Sequence, residues 1–352
     1  IAEGRVEDIR ECIGCNMCVT GDYLATPMRC TQNPTMGEEW RRGWHPEKIA
    51  ESKSKDSVLV IGAGPSGLEA ARALGQRGHQ VTLAEAGTEI GGRVAIESRL
   101  PGLSQWRRVA DYRDYQISQM ANIEVFFDSR LTAEQVLEFG ADHVVLATGS
   151  KWARHGIGRH NHDPIPTAET ATVLTPDEIA AGVIPEGPVV IFDDDHYYMG
   201  GVMAEKLRLE GLDVTYVTPV AEASTWTHNT MEQAKIQTRL LELGVNIVPF
   251  RNLTTIAPDH VELACVFTDR KETLACKSVV MVTMRESEDA LYHDLIAIPD
   301  NDPKSVTRIG DCLAPGTIAA AVYSGHRFAR ELGEPVSEGV PFKRELPALA
   351  DN

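Results

Sequence analysis

The 352-residue sequence lacks long apolar segments, and its basic residues are outnumbered by acidic ones. No apolar run approaches the roughly 18–20 residues of a membrane-spanning helix; the longest are short stretches such as SVLVIGAG and HVVLATG. With 34 Lys and Arg against 51 Asp and Glu, the net charge is −17, which disfavours general binding to nucleic-acid phosphates. The first residues also show no signal-peptide pattern. We therefore expect a cytoplasmic protein that binds neither membrane nor nucleic acid.

The composition is that of an ordered chain, with 43% hydrophobic and 24% charged residues. At about 100–200 residues per domain, the length predicts two or three domains. The sequence starts at Ile1 without an initiator Met, and a metal-ligand motif begins only twelve residues in. We therefore expect an N-terminal domain to be missing from this sequence.

Alternating strand and helix patterns predict the α/β class, with two Rossmann-like units. Strand patterns at SVLVIGAG, HQVTLAE, IEVFF and HVVLATG surround helices near Gly67–Arg77 and Ser104–Met120. A second cycle contains PVVIF, a helix over Val202–Glu210, DVTYVT and SVVMVTM, while 151–187 is interpreted as a loop. We predict a segment 1–55 with the cysteines, a first domain 56–150 plus 286–335, an inserted second domain 151–285, and a tail 336–352.

Four of the seven cysteines lie within the first 30 residues, three in a C-x2-C-x2-C pattern and the fourth after eleven intervening residues. A loop with thiolates at every third residue can turn several sulfurs toward one centre, and cubane iron–sulfur clusters use such sets. Structural zinc sites more often use two separated C-x2-C pairs, and disulfides do not suit an odd cysteine count. We predict that the metal ligands are Cys12, Cys15, Cys18 and Cys30. The remaining Cys265, Cys276 and Cys312 are interpreted as buried small residues.

The stretch VLVIGAGPSGLEAARAL contains G-x-G-x-x-G between a strand and a helix. The first glycine permits a tight turn, the second lets amides approach a pyrophosphate, and the third lets the helix pack on the strand. An acid 23 residues after the first glycine ends the next strand, where it can bind ribose hydroxyls. We predict that ADP or FAD binds at Gly62, Gly64, Pro65, Ser66, Gly67 and Glu85.

Three further short segments extend this predicted nucleotide site. They contribute Gly92 and Arg93, then Thr148 and Gly149, and finally Gly310 and Asp311. An aspartate at a strand end before a helix can bind the ribityl or diphosphate part of a flavin. Arg93 as a solvated surface residue, and Asp311 as the cap of the following helix, remain alternatives.

The second strand–helix cycle has DDDHYYMGG where a nicotinamide site needs glycines. The carboxylates of Asp193, Asp194 and Asp195 would repel a pyrophosphate, so we predict that NAD(P)H binding is lost there. The preferred interpretation is a solvated acidic turn. An unfamiliar nucleotide-binding geometry, or a metal bound by His196 and the aspartates, are the alternatives.

The whole pattern resembles the C-terminal portion of the trimethylamine, dimethylamine and histamine dehydrogenase family of iron–sulfur flavoproteins, related to 2,4-dienoyl-CoA reductase. The resemblance rests on RECIGCNMC, PMRCTQNPTMGEEWRRGWHPEK, SVLVIGAGPSG, DPIP, GDCLAP and SGHR. These motifs run from residue 1 to about 330. The cysteine and glycine motifs are shared with the reductases, whereas CTQNP with GEEWRRGWHPEK is more specific to the amine dehydrogenases.

The resemblance implies glutathione-reductase-type FAD and NAD(P) domains, a [4Fe-4S] cluster, and an N-terminal (β/α)8 barrel with FMN that oxidises a small amine. It implies electron transfer to an electron-transfer flavoprotein, and a homodimer. In the trimethylamine branch the first domain holds ADP instead of FAD, and the second has lost its nicotinamide role. Because substrate chemistry belongs to the barrel, no catalytic residue is assigned here; Trp40 and Trp44 are expected to pack the cysteine loop.

Two other functions remain open from the sequence. One is an NAD(P)H-dependent reductase with FAD and an iron–sulfur cluster, of the dienoyl-CoA reductase type. The other is a non-enzymatic, zinc-stabilised nucleotide-binding module. The leading expectation is the electron-transfer portion of an amine dehydrogenase.

Overall fold

The computed structural model describes residues 4–38, 44, 49–268, 270–299 and 303–334. The predicted tail 336–352, Trp40 and most of the GEEWRRGWHPEK motif lie outside these residues. The chain forms two compact units, each built from separate stretches. Unit 1 contains Ile1–Ala95, Gln105–Gly149 and Ser287–Asn352, and unit 2 contains Ile96–Ser104 and Ser150–Glu286.

The described residues form α-helices of one to four turns and four short 3-10 turns. The helices are α1 Met17–Tyr23, α2 Pro65–Gln76, α3 Arg93–Glu97, α4 Arg108–Ser118, α5 Ala133–Phe139, α6 Pro176–Ala180, α7 Tyr198–Leu209, α8 Gln233–Glu242, α9 Ala290–Ala297 and α10 Ile318–Glu331. The 3-10 turns are Val6–Asp8, Ser104–Arg107, Thr225–His228 and Gly310–Cys312.

The strands are three to six residues long. They are β1 Ser57–Ile61, β2 Gln80–Ala84, β3 Ile123–Phe126, β4 His143–Leu146, β5 Ser150–Trp152, β6 Thr172–Leu174, β7 Val189–Asp193, β8 Val214–Val217, β9 Asn246–Val248, β10 Arg251–Ile256, β11 His260–Cys265, β12 Lys271–Ala275, β13 Ser278–Val282, β14 Arg285–Ser287 and β15 Ser305–Arg308.

Unit 1 is built on a parallel sheet with strand order β15-β4-β1-β2-β3. Strand β1 reads as a buried apolar run because helices cover the sheet, as parallel strands require. The chain moves outward from β1 through β2 to β3 and then returns to β4 on the other side of β1. Adjacent parallel strands whose connections leave in opposite directions open a crevice at their carboxyl ends, which is where ligands bind in such sheets.

Helices α2 and α10 pack closely against each other in unit 1. A side chain at Gly325 of α10 would place its Cβ 2.1 Å from the carbonyl oxygen of Ser66 on α2, so glycine is required for this approach. The Thr317 hydroxyl accepts a hydrogen bond from the Ala320 amide at 3.3 Å and caps α10. Helix α10 is thereby packed against the first nucleotide turn.

Unit 2 repeats the parallel arrangement with strand order β6-β13-β7-β8-β9. An antiparallel sheet of β10, β11 and β12 and the short pair β5 and β14 accompany it. Its core contains apolar residues from both larger sheets, among them Val190, Phe192, Leu253, Val261 and Met281. Among the described residues, no helix combines the length and apolarity needed to cross a lipid bilayer.

The predicted strands and helices of both cycles are present, but the interpretation of 151–187 as a loop is wrong. This stretch contains β6, which pairs with β13 in register from Thr172 with Ser278, and the helix α6. Helix α7 begins at Tyr198, four residues before its predicted start. Three-residue strands and short capped helices carry too little periodicity for the sequence pattern to separate them from a loop.

Candidate functional site

The turn between β1 and α2 has the conformation that its glycines predict. Gly62 has a φ of +104°, and a Cβ there would lie 2.4 Å from the carbonyl oxygen of Ala147. A Cβ at Gly67 would lie 1.9 Å from the carbonyl oxygen of Gly62, so this residue lets α2 approach the turn. In contrast, a Cβ at Gly64 would meet no heavy atom within 4 Å. The turn is therefore closed toward the protein at Gly62 and Gly67 and open at Gly64, where a ligand can approach.

Glu85 follows β2 and lies beside this turn. Its carboxylate accepts hydrogen bonds from the Ala63 and Gly87 amides, both at 2.8 Å. These bonds fix the carboxylate at the edge of the open turn, and each oxygen retains a lone pair that a ribose hydroxyl can use. Gly92, which precedes α3 and has a φ of +50°, packs against the same turn, since its Cβ would lie 3.1 Å from the Cα of Gly64.

The remaining predicted nucleotide contacts follow the neighbouring strands. Thr148 and Gly149 come after β4, and Gly310 and Asp311 come after β15. A Cβ at Gly310 would lie 2.4 Å from the Ser66 hydroxyl, so this segment also touches the start of α2. The predicted residues thus meet at the carboxyl edge of one sheet, in the crevice beside β1. Pro65 is the first residue of α2, and Arg93 is the first of α3.

Two of these side chains are engaged within the protein. The Thr148 hydroxyl donates to the Glu288 carbonyl oxygen at 2.5 Å and lies 3.1 Å from the Cys312 sulfur. Asp311 accepts from the Gly316 amide at 3.0 Å, which holds the loop before α10. The alternative that Asp311 caps this helix is wrong, because Thr317 is the cap.

The four N-terminal cysteines lie on α1 and the loops around it, and none forms a disulfide. The Cys15 thiol contacts the Thr31 hydroxyl at 3.1 Å, and the Gly14 amide donates to the Cys12 sulfur at 3.3 Å. Burial raises the pKa of Cys15, the Thr31 contact lowers it, and the neighbouring Cys30 and Cys12 thiols raise it further. These thiols are close enough to influence each other, and a cation bound between them would favour their thiolate forms.

An extended network fixes the Cys30 side of this segment to unit 1. Arg113 of α4 is fully buried; it donates to the side-chain and backbone oxygens of Gln32 at 3.0 and 3.1 Å and to Glu69 of α2 at 2.8 Å. Gln32 in turn donates to the Arg108 carbonyl oxygen at 3.2 Å. The cysteine segment is therefore held, two residues from Cys30, by α4, and Glu69 links α4 to the helix that follows the nucleotide turn.

Apolar and aromatic contacts hold two further described residues of the segment, Ile13 and Trp44. Ile13, between two of the cysteines, packs with Val109 of α4 and Val322 of α10. The Trp44 ring lies edge-on to the His326 ring, with centroids 5.2 Å apart, and is 7% exposed. Trp44 thus contacts α10, and its predicted packing against the cysteine loop stays a prediction. Cys265, Cys276 and Cys312 are buried, as predicted.

The second nucleotide-type turn, between β7 and α7, encloses the carboxylate of Asp193. The Asp193 carboxylate is fully buried and accepts hydrogen bonds from the His196 and Asp195 amides at 2.9 and 3.2 Å. The Tyr216 hydroxyl of β8 also donates to it. Burial raises the pKa of Asp193, and burial with the Asp193 charge raises that of Tyr216 well above its ordinary value. Amides that bind a pyrophosphate in an intact nucleotide turn are here satisfied by a side chain of the turn itself.

The interpretation of DDDHYYMGG as a solvated acidic turn is wrong. Asp194 is fully buried as well, and its Oδ2 accepts from the His160 and Asn161 amides at 2.8 and 3.0 Å. The loop before β6 therefore folds over the turn, and partners replace water around the carboxylates. Because a segment 33 residues earlier in the chain supplies these partners, local composition did not indicate the burial.

A family profile described as pyridine nucleotide-disulphide oxidoreductase matches residues 56–304. The chain belongs to this family. The matched range includes the turn after β1 and the altered turn after β7, and the two parallel sheets confirm the predicted α/β class with Rossmann-like units.

The chain is also similar to enzymes that act on amines. Dimethylamine dehydrogenase of Hyphomicrobium sp. (strain x) is 38% identical, over 99% of this chain and 52% of the relative. The solved structure of histamine dehydrogenase from Rhizobium sp. 4-9 matches with a TM-score of 0.95 and 54% identity, over 99% of this chain and 55% of that protein. The solved structure of 6-hydroxypseudooxynicotine amine oxidase from Pseudomonas geniculata N1 matches with a TM-score of 0.91 and 46% identity, over 94% of this chain and 50% of that protein.

These comparisons confirm the resemblance to the amine dehydrogenases, and the family that the chain belongs to is one of oxidoreductases. The chain spans about half the length of the relatives it matches. The activity, substrate and partners of the relatives belong to proteins about twice as long, so for this chain they are proposed below.

Proposed function

We propose that this chain is the electron-transfer portion of an iron–sulfur flavoprotein amine dehydrogenase. Cys12, Cys15, Cys18 and Cys30 hold a [4Fe-4S] cluster, and the crevice beside β1 holds ADP or the ADP part of FAD. The small amine is oxidised at an FMN in a (β/α)8 barrel outside this sequence, and an electron-transfer flavoprotein or similar acceptor takes the electrons. The whole protein is proposed to be a homodimer.

The observation that carries this proposal is the attachment of the cysteine segment to the nucleotide-binding unit. Arg113 joins Gln32, two residues from Cys30, to Glu69 on the helix of the nucleotide turn. When bound, a [4Fe-4S] cluster supplies one-electron transfer. The role of this chain is then to hold the four sulfurs rigidly, since their segment has buried contacts with both α4 and α10.

The cysteine pattern supports a cluster over a single zinc ion. Structural zinc sites more often use two separated C-x2-C pairs. Three closely spaced cysteines, Cys12, Cys15 and Cys18, with the more distant Cys30 are instead typical of cubane iron–sulfur clusters.

The nucleotide part of the proposal rests on the open turn. Apart from its chain neighbours, no protein atom lies within 4 Å of the position of a Cβ at Gly64, so a ligand can reach the backbone there. The Glu85 carboxylate lies beside this turn, and helix α2 begins directly after it. A diphosphate is favoured at this helix N-terminus, and ribose hydroxyls at the carboxylate. Both ADP and FAD present these groups, so the released nucleotide identifies the ligand.

The NAD(P)H-dependent reductase is disfavoured as an alternative. Asp193 already satisfies the His196 and Asp195 amides in the second turn, and a pyrophosphate there would displace a buried hydrogen-bonded carboxylate. The zinc-stabilised module remains the other alternative, and metal content separates it from the proposal.

The proposal is tested by metal and nucleotide analysis of anaerobically prepared protein. We expect about four irons and four acid-labile sulfides per chain, with ADP or FAD released on denaturation. Cys30→Ser should lose most of the iron, whereas Cys276→Ser, a buried cysteine of unit 2, should retain it. Zinc without iron or sulfide would instead establish the zinc-stabilised module and reject both redox functions.

A further inference from the structure

Unit 2 contains three metal-ligating side chains that converge on one point. They are Asp194, which follows β7, His196 in the same turn, and His160 in the loop before β6. Asp194 Oδ1 lies 2.8 Å from His160 Nδ1 and 3.1 Å from His196 Nε2, and these two nitrogens are 3.2 Å apart. We propose that the two imidazoles and the carboxylate bind a divalent first-row transition-metal cation.

The spacing of the three atoms is that of neighbouring ligands on one ion. Nitrogen and oxygen ligands lie about 2.0–2.2 Å from zinc, and adjacent corners of such a tetrahedron are about 3.3 Å apart. Three distances of 2.8 to 3.2 Å therefore leave an ion within bonding distance of every corner. Two histidines with one carboxylate are also a familiar ligand set for divalent transition metals.

The surroundings orient each ligand toward that point. The Oδ2 atom of Asp194 is engaged by the His160 and Asn161 amides, which turns Oδ1 toward the imidazoles. A Cβ at Gly158 would lie 2.4 Å from Oδ2, so the loop reaches the carboxylate only with glycine there.

The burial of His196 is a second observation at this site. Its side chain is 6% exposed, and within the described residues its Nδ1 is buried without a hydrogen-bond partner. The Asp193 carboxylate lies 4.0 Å from that nitrogen. The other ring nitrogen, Nε2, lies 3.1 Å from Asp194 Oδ1 and 3.2 Å from His160 Nδ1, and it is the atom that faces the proposed ion. Carboxylates commonly orient metal-binding histidines from the far side of the ring in this way.

A cation also resolves the contact between the two imidazoles. Without it, the 3.2 Å approach of His160 Nδ1 to His196 Nε2 needs a proton on one nitrogen, and both rings compete for one oxygen of Asp194. With it, all three atoms act as electron-pair donors. The His160 side chain is 45% exposed, so solvent reaches the site and supplies the fourth ligand.

Such an ion would join the 156–161 loop to the turn after β7. In unit 1 the related nucleotide turn is open at Gly64. In unit 2 the turn instead contains the Asp193 carboxylate and, beside it, the proposed metal ion. The binding of the ion should therefore stabilise unit 2, because it favours the folded state.

The test uses the full chain with its native cofactors, titrated with Zn²⁺ by calorimetry and with Co²⁺ by visible absorption. His160→Ala removes a partly exposed ligand, and Asp194→Asn preserves an acceptor for the backbone amides. The matched control is His228→Ala: His228 pairs with Glu222 at 2.6 Å in the same unit, without a third ligand among the described residues.

We expect the wild type and His228→Ala to bind one Zn²⁺ in this unit and to melt at a higher temperature with Zn²⁺. The two ligand variants should bind at least about tenfold more weakly and lose the thermal shift. The Co²⁺ spectrum should show ligand-field bands without thiolate charge transfer. Equal Zn²⁺ affinity in all four proteins, or thiolate bands that place the ion on cysteine, would overturn the proposal.

Discussion

Glu69 and Arg113 form a fully buried ion pair, with the Arg113 Nε 2.8 Å from the Glu69 Oε2. Arg72 and His326 contact the other carboxylate oxygen at 2.6 and 2.9 Å. Burial alone would raise the pKa of Glu69, but the charges of Arg72 and Arg113 and the His326 hydrogen bond hold that pKa well below its ordinary value. One carboxylate thus neutralises the guanidinium group that holds the cysteine segment.

Removal of that charge should destabilise unit 1. Glu69→Gln leaves the buried Arg113 and Arg72 without a counter-charge, which typically costs about 3–5 kcal/mol of unfolding free energy. The measurement is urea denaturation followed by circular dichroism. Glu124→Gln, on the exposed side of β3, is the control and should lie within about 0.5 kcal/mol of the wild type. Equal stability of both variants would show that the network does not support the fold.

The burial of His326 should make the protein less stable as the pH falls below neutral. Burial lowers the pKa of this histidine, against a smaller opposing effect of Glu69, so the folded state favours the neutral ring. The stabilising contribution is therefore present above the unfolded pKa of about 6.5 and is lost as the pH falls toward the folded pKa. His326→Gln should flatten the pH dependence of unfolding between pH 7 and 5, whereas His162→Gln, an exposed substitution, should leave it unchanged. An unaltered profile in His326→Gln would contradict this assignment.

Two glycines of the first turn should respond differently to alanine. Gly64→Ala places a Cβ where the protein has no atom within 4 Å, so folding should be unchanged. The added methyl group would lie where the diphosphate is proposed to bind. Nucleotide affinity should therefore fall at least about tenfold, which is close to the binding free energy lost with one charge-assisted hydrogen bond. Gly67→Ala collides with the Gly62 carbonyl and should instead cost about 1–3 kcal/mol of stability. The measurements are calorimetric ADP titration of nucleotide-depleted protein and thermal denaturation; tight ADP binding by Gly64→Ala would place the nucleotide elsewhere.

Reduced nicotinamide nucleotides should not reduce the protein. The Asp193 carboxylate accepts hydrogen bonds from the amides of the second turn, so unit 2 lacks the diphosphate site that NADH and NADPH need. Anaerobic stopped-flow mixing with either nucleotide should leave the visible spectrum unchanged, while dithionite bleaches it. Rapid bleaching by NADPH would favour the reductase alternative.

The sequence predicts most of unit 1 because its signals are local. The buried run of β1, the glycines at 62, 64 and 67, and the acid at Glu85 occupy consecutive elements whose order determines their meeting place. The structure places them at one sheet edge, as the pattern indicates. Whether they bind the nucleotide remains a prediction until the titrations above.

The second unit was less predictable because its decisive contacts are distant in sequence. Asp194 is buried by amides from His160 and Asn161, and Asp193 by a tyrosine 23 residues later. A run of acidic residues without hydrogen-bond partners nearby in the sequence is usually interpreted as solvent-exposed. The partners of these aspartates are identified only in the folded chain. Tyr216, in the middle of the buried strand β8, is the sequence signal of a polar group in this core.

The most direct test of the proposed electron-transfer role is electron paramagnetic resonance of the anaerobically prepared, dithionite-reduced protein. A cubane cluster held by Cys12, Cys15, Cys18 and Cys30 should give the low-temperature signal of a reduced [4Fe-4S] centre. That signal should be lost in Cys30→Ser and retained in Cys276→Ser. A protein that contains zinc and gives no such signal, or a signal unchanged by Cys30→Ser, would contradict the account.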